Sequence, residues 1–269
     1  MKILSCQINQ PEIGTVSERD EHVRQLCDKL GQALTQVEAD VVMLPELATS
    51  GYPFGDLARV KELAEEIDGP SVKAIREVAK EHGVAICFGL PRHNPDNDNL
   101  HISQFFIHPD GQVGFYDKLH LHESEADVFS PGDHLYVTAL GGVKIGLIIC
   151  YDFRFPELCR HLRAEHGVDV ILHATAFLKD DSYKSWAPFV MTRALENEVY
   201  LLSQNFAGPA FGGTLFCPPD FNGGRQMERL PDQEFFHVFE VDEALLAEKR
   251  AGGGYLEGRR EDYGSLKPL

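Results

Sequence analysis

Short apolar runs alternate with amphipathic segments along most of this 269-residue chain, and the alternation limits the folds it can adopt. Period-two spacing and short β-branched runs predict strands over 3–8, 41–44, 84–90, 143–149, 168–173 and 199–203. Three- and four-residue spacing predicts helices over 20–37, 71–81, 156–165 and 186–197. Segments 104–107 and 112–116 flank a Pro109-Asp110-Gly111 turn and predict a hairpin. We therefore expect a layered α/β architecture, with helices outside and sheet inside.

The composition excludes several classes of protein. With 43% hydrophobic residues, the chain has enough apolar surface for a large core, so it is not an intrinsically disordered protein. Its formal net charge of -17 repels nucleic acid and anionic membranes, and neither is expected as a partner. A small neutral or locally recognised ligand is favoured instead.

The six cysteines, at positions 6, 27, 87, 150, 159 and 217, form no CxxC pair and no short even spacing. This pattern indicates free thiols in a reducing compartment. The first residues carry too short an apolar run for a signal peptide, and no later stretch approaches about 18 uninterrupted apolar residues. We expect a cytoplasmic protein.

One cysteine has a distinctive setting. Cys150 follows the buried strand 143–149 directly and precedes polar residues and the helix-starting Pro156. It should therefore lie at the exposed carboxyl end of a strand, where α/β sheets carry their chemistry, with the Tyr151 N–H directed toward whatever the sulfur attacks. The alternative is a buried core cysteine.

Two more strand ends carry charged residues. Glu46 comes just after strand 41–44, where partial desolvation would raise its pKa toward that of a useful base. Lys118 follows segment 112–116 and is a cation that could stabilise an oxyanion or lower a thiol pKa. Each alone is typical of a solvated surface residue, but together with Cys150 they suffice for acyl transfer without a metal or cofactor.

These residues lie in three segments that resemble the signatures of the nitrilase superfamily of carbon-nitrogen hydrolases. The segments are Leu44-Pro45-Glu46-Leu47 with Gly51-Tyr52, Tyr116-Asp117-Lys118-Leu119-His120-Leu121, and Cys150-Tyr151-Asp152-Phe153-Arg154-Phe155-Pro156-Glu157-Leu158. The resemblance extends over nearly the whole chain and is closest in motif to the ω-amidase-like branch. It implies one domain over 1–269 with a four-layer α-β-β-α sandwich, and association of subunits into a homo-oligomer.

The resemblance also implies roles for individual residues. Glu46 matches the general base, Lys118 the oxyanion-stabilising lysine and Cys150 the nucleophile. Glu125 matches a second glutamate that positions the substrate and the lysine; taken alone, it would be interpreted as a surface loop charge. For Arg154 the resemblance implies a clamp on a substrate carboxylate, and a salt bridge to Asp152 or Glu157 is the alternative.

The chain departs from the family pattern at two places. Asp117 stands where arginine is more frequent, but alternating side-chain directions point it away from Lys118. Segment 174–178 replaces a commoner proline-asparagine-tryptophan run near the substrate pocket, which leaves the substrate open. Phe177 in this segment is a candidate pocket wall, as is His173 just before it, although both also fit core positions.

His120 and His122 share a strand face but do not make a zinc site, which needs three or four ligands, so no metal is expected. The sequence predicts an enzyme that hydrolyses a small linear amide through a cysteine thioester, with the amide of a dicarboxylic acid as one candidate. An N-carbamoyl amidohydrolase or a nitrilase would use the same three residues. A non-catalytic binding or scaffold protein is the alternative of another class, and a papain-like hydrolase lacks a histidine in a fitting context.

Overall fold

Two six-stranded mixed sheets form the centre of the protein. The structure, a computed structural model, describes residues 1–52, 57–252, 254–260 and 262–266. The first half of the chain contains β1 (Lys2–Gln7), α1 (Val16–Leu34), β2 (Val41–Met43), α2 (Leu57–Leu63), α3 (Pro70–His82), β3 (Ala85–Asn94), β4 (Asn99–Ile107) and β5 (Val113–Asp117). The second half contains β6 (Val137–Leu140), β7 (Val143–Ile149), α4 (Pro156–Ala164), β8 (Val170–Ala174), α5 (Trp186–Asn197), β9 (Tyr200–Gln204), β10 (Leu215–Cys217), β11 (Glu228–Arg229), β12 (Phe235–Glu240) and α6 (Glu243–Arg250).

The two sheets have matching topologies. The strand order is β12-β1-β2-β3-β4-β5 in the first sheet and β11-β10-β9-β8-β7-β6 in the second. Strands β1, β2 and β3 are parallel, as are β7, β8 and β9, and the outer strands of each sheet add in antiparallel fashion. Each sheet therefore has a parallel core whose strands end at the same edge.

Alternating side chains of the parallel strands serve two different cores. In β2, Val41 and Met43 join the apolar cluster between the two sheets, whereas Val42 joins the cluster beneath α1 and α3. On the other side, α4 and α5 cover the outer face of the second sheet. This arrangement confirms the four-layer α-β-β-α sandwich and explains why β2 is a continuous apolar run.

Some observed elements differ from the predicted ones at their ends, and several strands and the helices α2 and α6 were not predicted. Helix α1 begins four residues before the predicted start, because the Thr15 side chain accepts a hydrogen bond from the Glu18 N–H at 3.3 Å and caps the helix. The predicted hairpin forms between β4 and β5, with its turn closed by the Gly111 N–H and the His108 carbonyl. Strands β6, β10, β11 and β12 were not predicted; β12 returns from near the end of the chain to pair with β1.

All six cysteines lie in the described part of the chain and none forms a disulfide. Across the described ranges, no helix combines the length and the apolar character needed to cross a membrane.

Gly89 of β3 makes room for the turn that carries Glu46. A Cβ atom at Gly89 would lie 2.4 Å from the Leu47 nitrogen and 3.0 Å from the carbonyl carbon of Glu46. Because both are backbone atoms, the turn after β2 can approach β3 this closely only against a bare glycine.

We expect Gly89→Ala to lower the free energy of unfolding by about 1–3 kcal/mol, since the added methyl group overpacks fixed backbone. Urea titration followed by circular dichroism measures the change. Gly264→Ala is the matched control, because a Cβ there meets no atom within 4 Å. Equal stability of the two variants would contradict the proposed close approach.

Candidate active site

Three strand ends meet at one cavity of about 280 Å³. Glu46 follows β2 of the first sheet and Cys150 follows β7 of the second, and both side chains line the cavity. Lys118 follows β5 and is fully buried beside Glu46. The structure thus brings together the three residues that the sequence analysis singled out at separate strand ends.

The Lys118 ammonium group lies between two carboxylates. Its Nζ donates to Glu46 Oε1 at 3.0 Å and to the two oxygens of Glu125 at 2.9 and 2.8 Å. Burial alone lowers the pKa of Lys118, but the charges of Glu46 and Glu125 outweigh it and the net pKa is raised. The lysine therefore stays protonated inside the protein, and Glu125 fixes its position.

Tyr52 completes this cluster, although the sequence analysis gave it no role. Its hydroxyl donates to Glu46 Oε1 at 2.6 Å and also contacts Glu125 Oε1 at 3.1 Å. The other oxygen of Glu46 accepts from the Ala176 N–H at 3.1 Å. Glu46 is thus oriented by hydrogen bonds on both oxygens, which a tyrosine six residues downstream and a backbone N–H supply.

Cys150 stands at a sharp turn. Its backbone φ is +41°, a left-handed value that a non-glycine residue rarely adopts, and a short 3₁₀ turn over Cys150–Arg154 follows β7. Tyr151, in the same turn, also lines the cavity. The strained backbone directs the end of the strand toward the cavity, in agreement with the predicted exposed strand end.

His173 supports this turn from behind. It is fully buried, with Nε2 at 3.0 Å from the Cys150 carbonyl oxygen and Nδ1 at 2.8 Å from the Ser203 hydroxyl, which in turn accepts from Trp186 Nε1 at 2.8 Å. A carbonyl can only accept, so Nε2 carries the hydrogen and Nδ1 accepts from Ser203. Burial lowers the pKa of His173 to about 4, which keeps the ring neutral.

The prediction that His173 lines the pocket wall is therefore wrong. The turn at Cys150 covers the end of β8 at which His173 lies, and the Cys150 carbonyl oxygen accepts a hydrogen bond from the imidazole. Phe177 does line the cavity, as predicted, and its ring stacks on Trp186 with centroids 5.4 Å apart. Trp186 itself is buried behind it.

Burial also sets the acid-base properties of the pair that lines the cavity. It raises the pKa of Cys150 to about 12, with a further rise from the charge of Glu46, whereas Lys118 lowers it. Burial likewise raises the pKa of Glu46 above its ordinary value, against the lowering effect of Lys118. In the resting protein the thiol is protonated, and the neighbouring carboxylate is a stronger base than a solvated glutamate.

Arg154 lines the cavity and forms no salt bridge to a carboxylate among the described residues. Asp180 lines the same cavity, and its pKa is lowered by hydrogen bonding from Ser182 and, to a smaller extent, by the charge of Arg154. Its guanidinium carbon lies 5.4–5.9 Å from the ring centroids of Tyr151, Phe153, Phe177 and Phe189. Neither Asp152 nor Glu157 forms the salt bridge that was the alternative for this residue, because the Asp152 oxygens are bound elsewhere. A planar cation in an aromatic setting is thus available to a ligand.

Asp117, the first departure from the family pattern, points away from Lys118 as the strand alternation predicts. It pairs with Arg92 through two hydrogen bonds of 3.0 and 2.7 Å, and both side chains are buried. Segment 174–178, the second departure from the family pattern, contributes the Ala176 N–H that donates to Glu46. Among the described residues, no group of three His, Cys, Asp or Glu side chains is arranged to hold a metal ion.

Comparison with known proteins assigns the family. The family model described as carbon-nitrogen hydrolase matches residues 2–223. The chain belongs to the carbon-nitrogen hydrolase family. It is 34% identical over 245 residues to a nitrilase from Pyrococcus abyssi, covering 88% of this chain and 90% of that protein.

Two further relatives agree. This hydrolase is 32% identical over 272 residues to an omega-amidase from Danio rerio, covering 92% of this chain and 95% of that one. Among solved structures, a cysteine-to-alanine variant of an amidase of the nitrilase superfamily from Nesterenkonia AN1 superposes with a TM-score of 0.79. That pair is 25% identical, and the match covers 98% of this chain and 96% of the other.

Asp152 ties the cysteine turn to the strand end that carries the lysine. Its oxygens accept from the Ile149 N–H at 3.0 Å, the Tyr116 hydroxyl at 2.8 Å, and the His120 N–H and Nδ1 at 2.9 and 2.8 Å. The residue is fully buried. Because Tyr116 and His120 flank Lys118 in sequence, one carboxylate connects both sheets at the site. The sequence did not predict this role of Asp152, because the role depends on contact between the cysteine turn and the strand end that carries Tyr116 and His120.

We expect Asp152→Asn to lower the free energy of unfolding of this hydrolase by about 1–3 kcal/mol, because the new NH₂ group faces donors and leaves them unsatisfied. Urea titration measures the effect. Asp133→Asn is the control, since that side chain is 97% exposed and contacts only His134. A change within the error of the control would show that the four hydrogen bonds do not stabilise the site.

Proposed function

We propose that this chain is an amidase that hydrolyses a small linear amide carrying a carboxylate, through a thioester on Cys150. The observation that carries the proposal is the shared cavity, which is lined by the Glu46 carboxylate, the Cys150 thiol and the Arg154 guanidinium. Glu46 and Cys150 provide a base and a nucleophile, and Arg154 provides a cation for the far end of the substrate.

In the first half-reaction the Cys150 sulfur attacks the amide carbon while its proton passes to Glu46. The carbonyl oxygen takes up negative charge, which Lys118 and the Tyr151 N–H stabilise. When the tetrahedral intermediate collapses, the carbon-nitrogen bond breaks, Glu46 gives its proton to the nitrogen, and ammonia leaves. The raised pKa of Glu46 supports the first transfer, because a more basic carboxylate accepts the thiol proton more readily.

In the second half-reaction a water molecule attacks the thioester and gives a proton to Glu46. The carbon-sulfur bond then breaks, the sulfur regains that proton, and the carboxylic acid is released. Glu46 thus serves as base and acid in each half, and the proton transfers need no further group from the protein.

The hydrogen bonds of Lys118 support its oxyanion role. Its ammonium group contacts three carboxylate oxygens in the resting site, and one of them belongs to Glu46. Once Glu46 takes up the thiol proton it becomes a weaker acceptor, so the N–H directed at Glu46 is released when the oxyanion forms. Glu125 keeps the ammonium group in place during this exchange.

The relatives support the substrate class. The Danio rerio protein is named an omega-amidase. The Nesterenkonia amidase has been solved in complex with butyramide and with acrylamide added to its active-site cysteine. We extend to this chain both the use of small linear amides and the cysteine as the reacting group.

For Arg154→Met we expect kcat/KM for succinamate, a linear amide that ends in a carboxylate, to fall by roughly 10–100-fold, because a charge-assisted contact is lost. Butyramide, which has no charge, should change by less than about threefold. Release of ammonia measures both rates. Arg154→Lys serves as the matched control because it keeps the charge without the planar fork. An equal loss for both amides in Arg154→Met would remove Arg154 as the carboxylate site.

The same assay with ureido acids and nitriles tests the substrate class. Turnover of a ureido acid or a nitrile well above that of succinamate and butyramide would overturn the amidase assignment. In each case, Cys150→Ala should lose activity while keeping a native circular dichroism spectrum.

We expect kcat/KM to decline as pH falls through the raised pKa of Glu46, so its acid limb should lie above the ordinary glutamate value of 4.5. The sign follows because only the carboxylate form accepts the thiol proton. Glu46→Gln should lose at least about 100-fold in kcat/KM, whereas Glu123→Gln, at the same cavity, should not. Activity that stays constant from pH 4 to 7 would exclude Glu46 as the base.

A further inference from the structure

Thr175 lies beside the nucleophile at the end of the neighbouring strand. In the parallel pairing of β7 with β8, Ile149 is in register with Ala174, so the next residues along the two strands are Cys150 and Thr175. Adjacent strands are about 4.8 Å apart. The position of Thr175 is fixed on both sides, because its own N–H donates to Gln204 at 2.9 Å and the N–H of Ala176 donates to Glu46.

The hydroxyl of Thr175 is buried and unsatisfied. The residue is 0% exposed, and its Oγ1 makes no hydrogen bond of normal geometry to any residue in the described part of the chain. Buried hydroxyl groups almost always have a partner, and an exception at a functional site calls for an explanation. Thr175 is not among the residues that line the cavity.

The Cys150 sulfur is the acceptor that fits. Burial and the charge of Glu46 raise the pKa of Cys150, whereas hydrogen bonding from Thr175 lowers it, as does the charge of Lys118. A neutral thiol is a weak acceptor, and a sulfur that carries negative charge is a strong one. The hydroxyl is therefore unsatisfied in the resting site and gains a partner when the sulfur gives up its proton.

We propose that the Thr175 hydroxyl donates a hydrogen bond to the Cys150 sulfur as the sulfur becomes negatively charged, and thereby promotes its attack. The inference rests on the proposed function in taking Cys150 as the nucleophile. In the balanced step, the sulfur proton moves to Glu46 and the Thr175 proton stays on its own oxygen, turned toward the sulfur. Thr175 thus contributes a dipole without entering the proton transfer.

Alkylation of Cys150 by iodoacetamide tests the inference without any amide substrate. The rate is followed from pH 6 to 10 by mass spectrometry of the peptide that contains Cys150, with the partly buried Cys27 as an internal reference. In Thr175→Val, which removes the hydroxyl at nearly constant volume, we expect alkylation of Cys150 roughly tenfold slower near pH 8, with its pH profile moved upward. In Thr175→Ser, which keeps the hydroxyl, the wild-type profile should return.

Stability toward urea is a second measurement, and it distinguishes the proposed role of Thr175 from a purely structural one. Thr175→Val should unfold at the same or a higher urea concentration than wild type, because the valine removes an unsatisfied group. Slower alkylation in a variant that is no less stable would support the inference. An unchanged alkylation profile in Thr175→Val, or equal slowing in the valine and serine variants, would overturn it.

Should Thr175→Val fail to fold, Thr175→Ala gives the same test with a smaller side chain, and wild-type alkylation in that variant would overturn the inference. The result is independent of the proposed function. A wild-type protein that releases no ammonia from amides but shows alkylation dependent on Thr175 would refute the amidase proposal and keep this one.

Discussion

The buried ammonium group of Lys118 is the charge on which the site depends. An isolated ammonium in the interior would lose its proton, because desolvation disfavours the charged form. Here Glu46 and Glu125 compensate that cost from two separate loops, and Tyr52 bridges the same two carboxylates. Both carboxylates are buried or nearly so, and removing Lys118 would leave them as two like charges without a cation between them. The cluster therefore fixes the loops after β2 and β5 relative to each other.

The second sheet brings the sulfur to this cluster through groups that carry no positive charge. His173 holds the Cys150 carbonyl, and Asp152 binds backbone N–H groups on both sides of the site. Hydrogen bonds of this kind position a strained turn without adding a further cation near the sulfur. The thiol consequently stays protonated at rest, and in the proposed mechanism it is activated by proton transfer to Glu46 rather than held as a thiolate.

Sequence patterns predicted the parts of the structure that local spacing controls. The central strands, the hairpin before Lys118 and the exposed strand end at Cys150 follow from apolar periodicity and turn residues. The resemblance to a known family supplied Glu125 and the pairing of two sheets. Contacts that arise only after the sheets pack were missed: Tyr52 and Asp152 are ordinary residues until Glu46 and Tyr116 approach them. His173 was misplaced for the same reason, because strand alternation cannot tell which loop will cover a strand end.

The charge distribution around the cavity gives an orientation to the proposed substrate. Lys118 is a cation, but Glu46 and Glu125 together outweigh it, so this cluster as a whole repels a carboxylate. Arg154 is a cation that lines the cavity and forms no salt bridge to a carboxylate among the described residues. We therefore propose that the carboxylate of the substrate binds at the arginine, away from Glu46, and that the amide end lies at the sulfur. The separation between Arg154 and the Lys118 cluster favours linear molecules with the amide and the carboxylate at opposite ends. It also explains how a chain of net charge -17 could bind the anionic substrate that we propose.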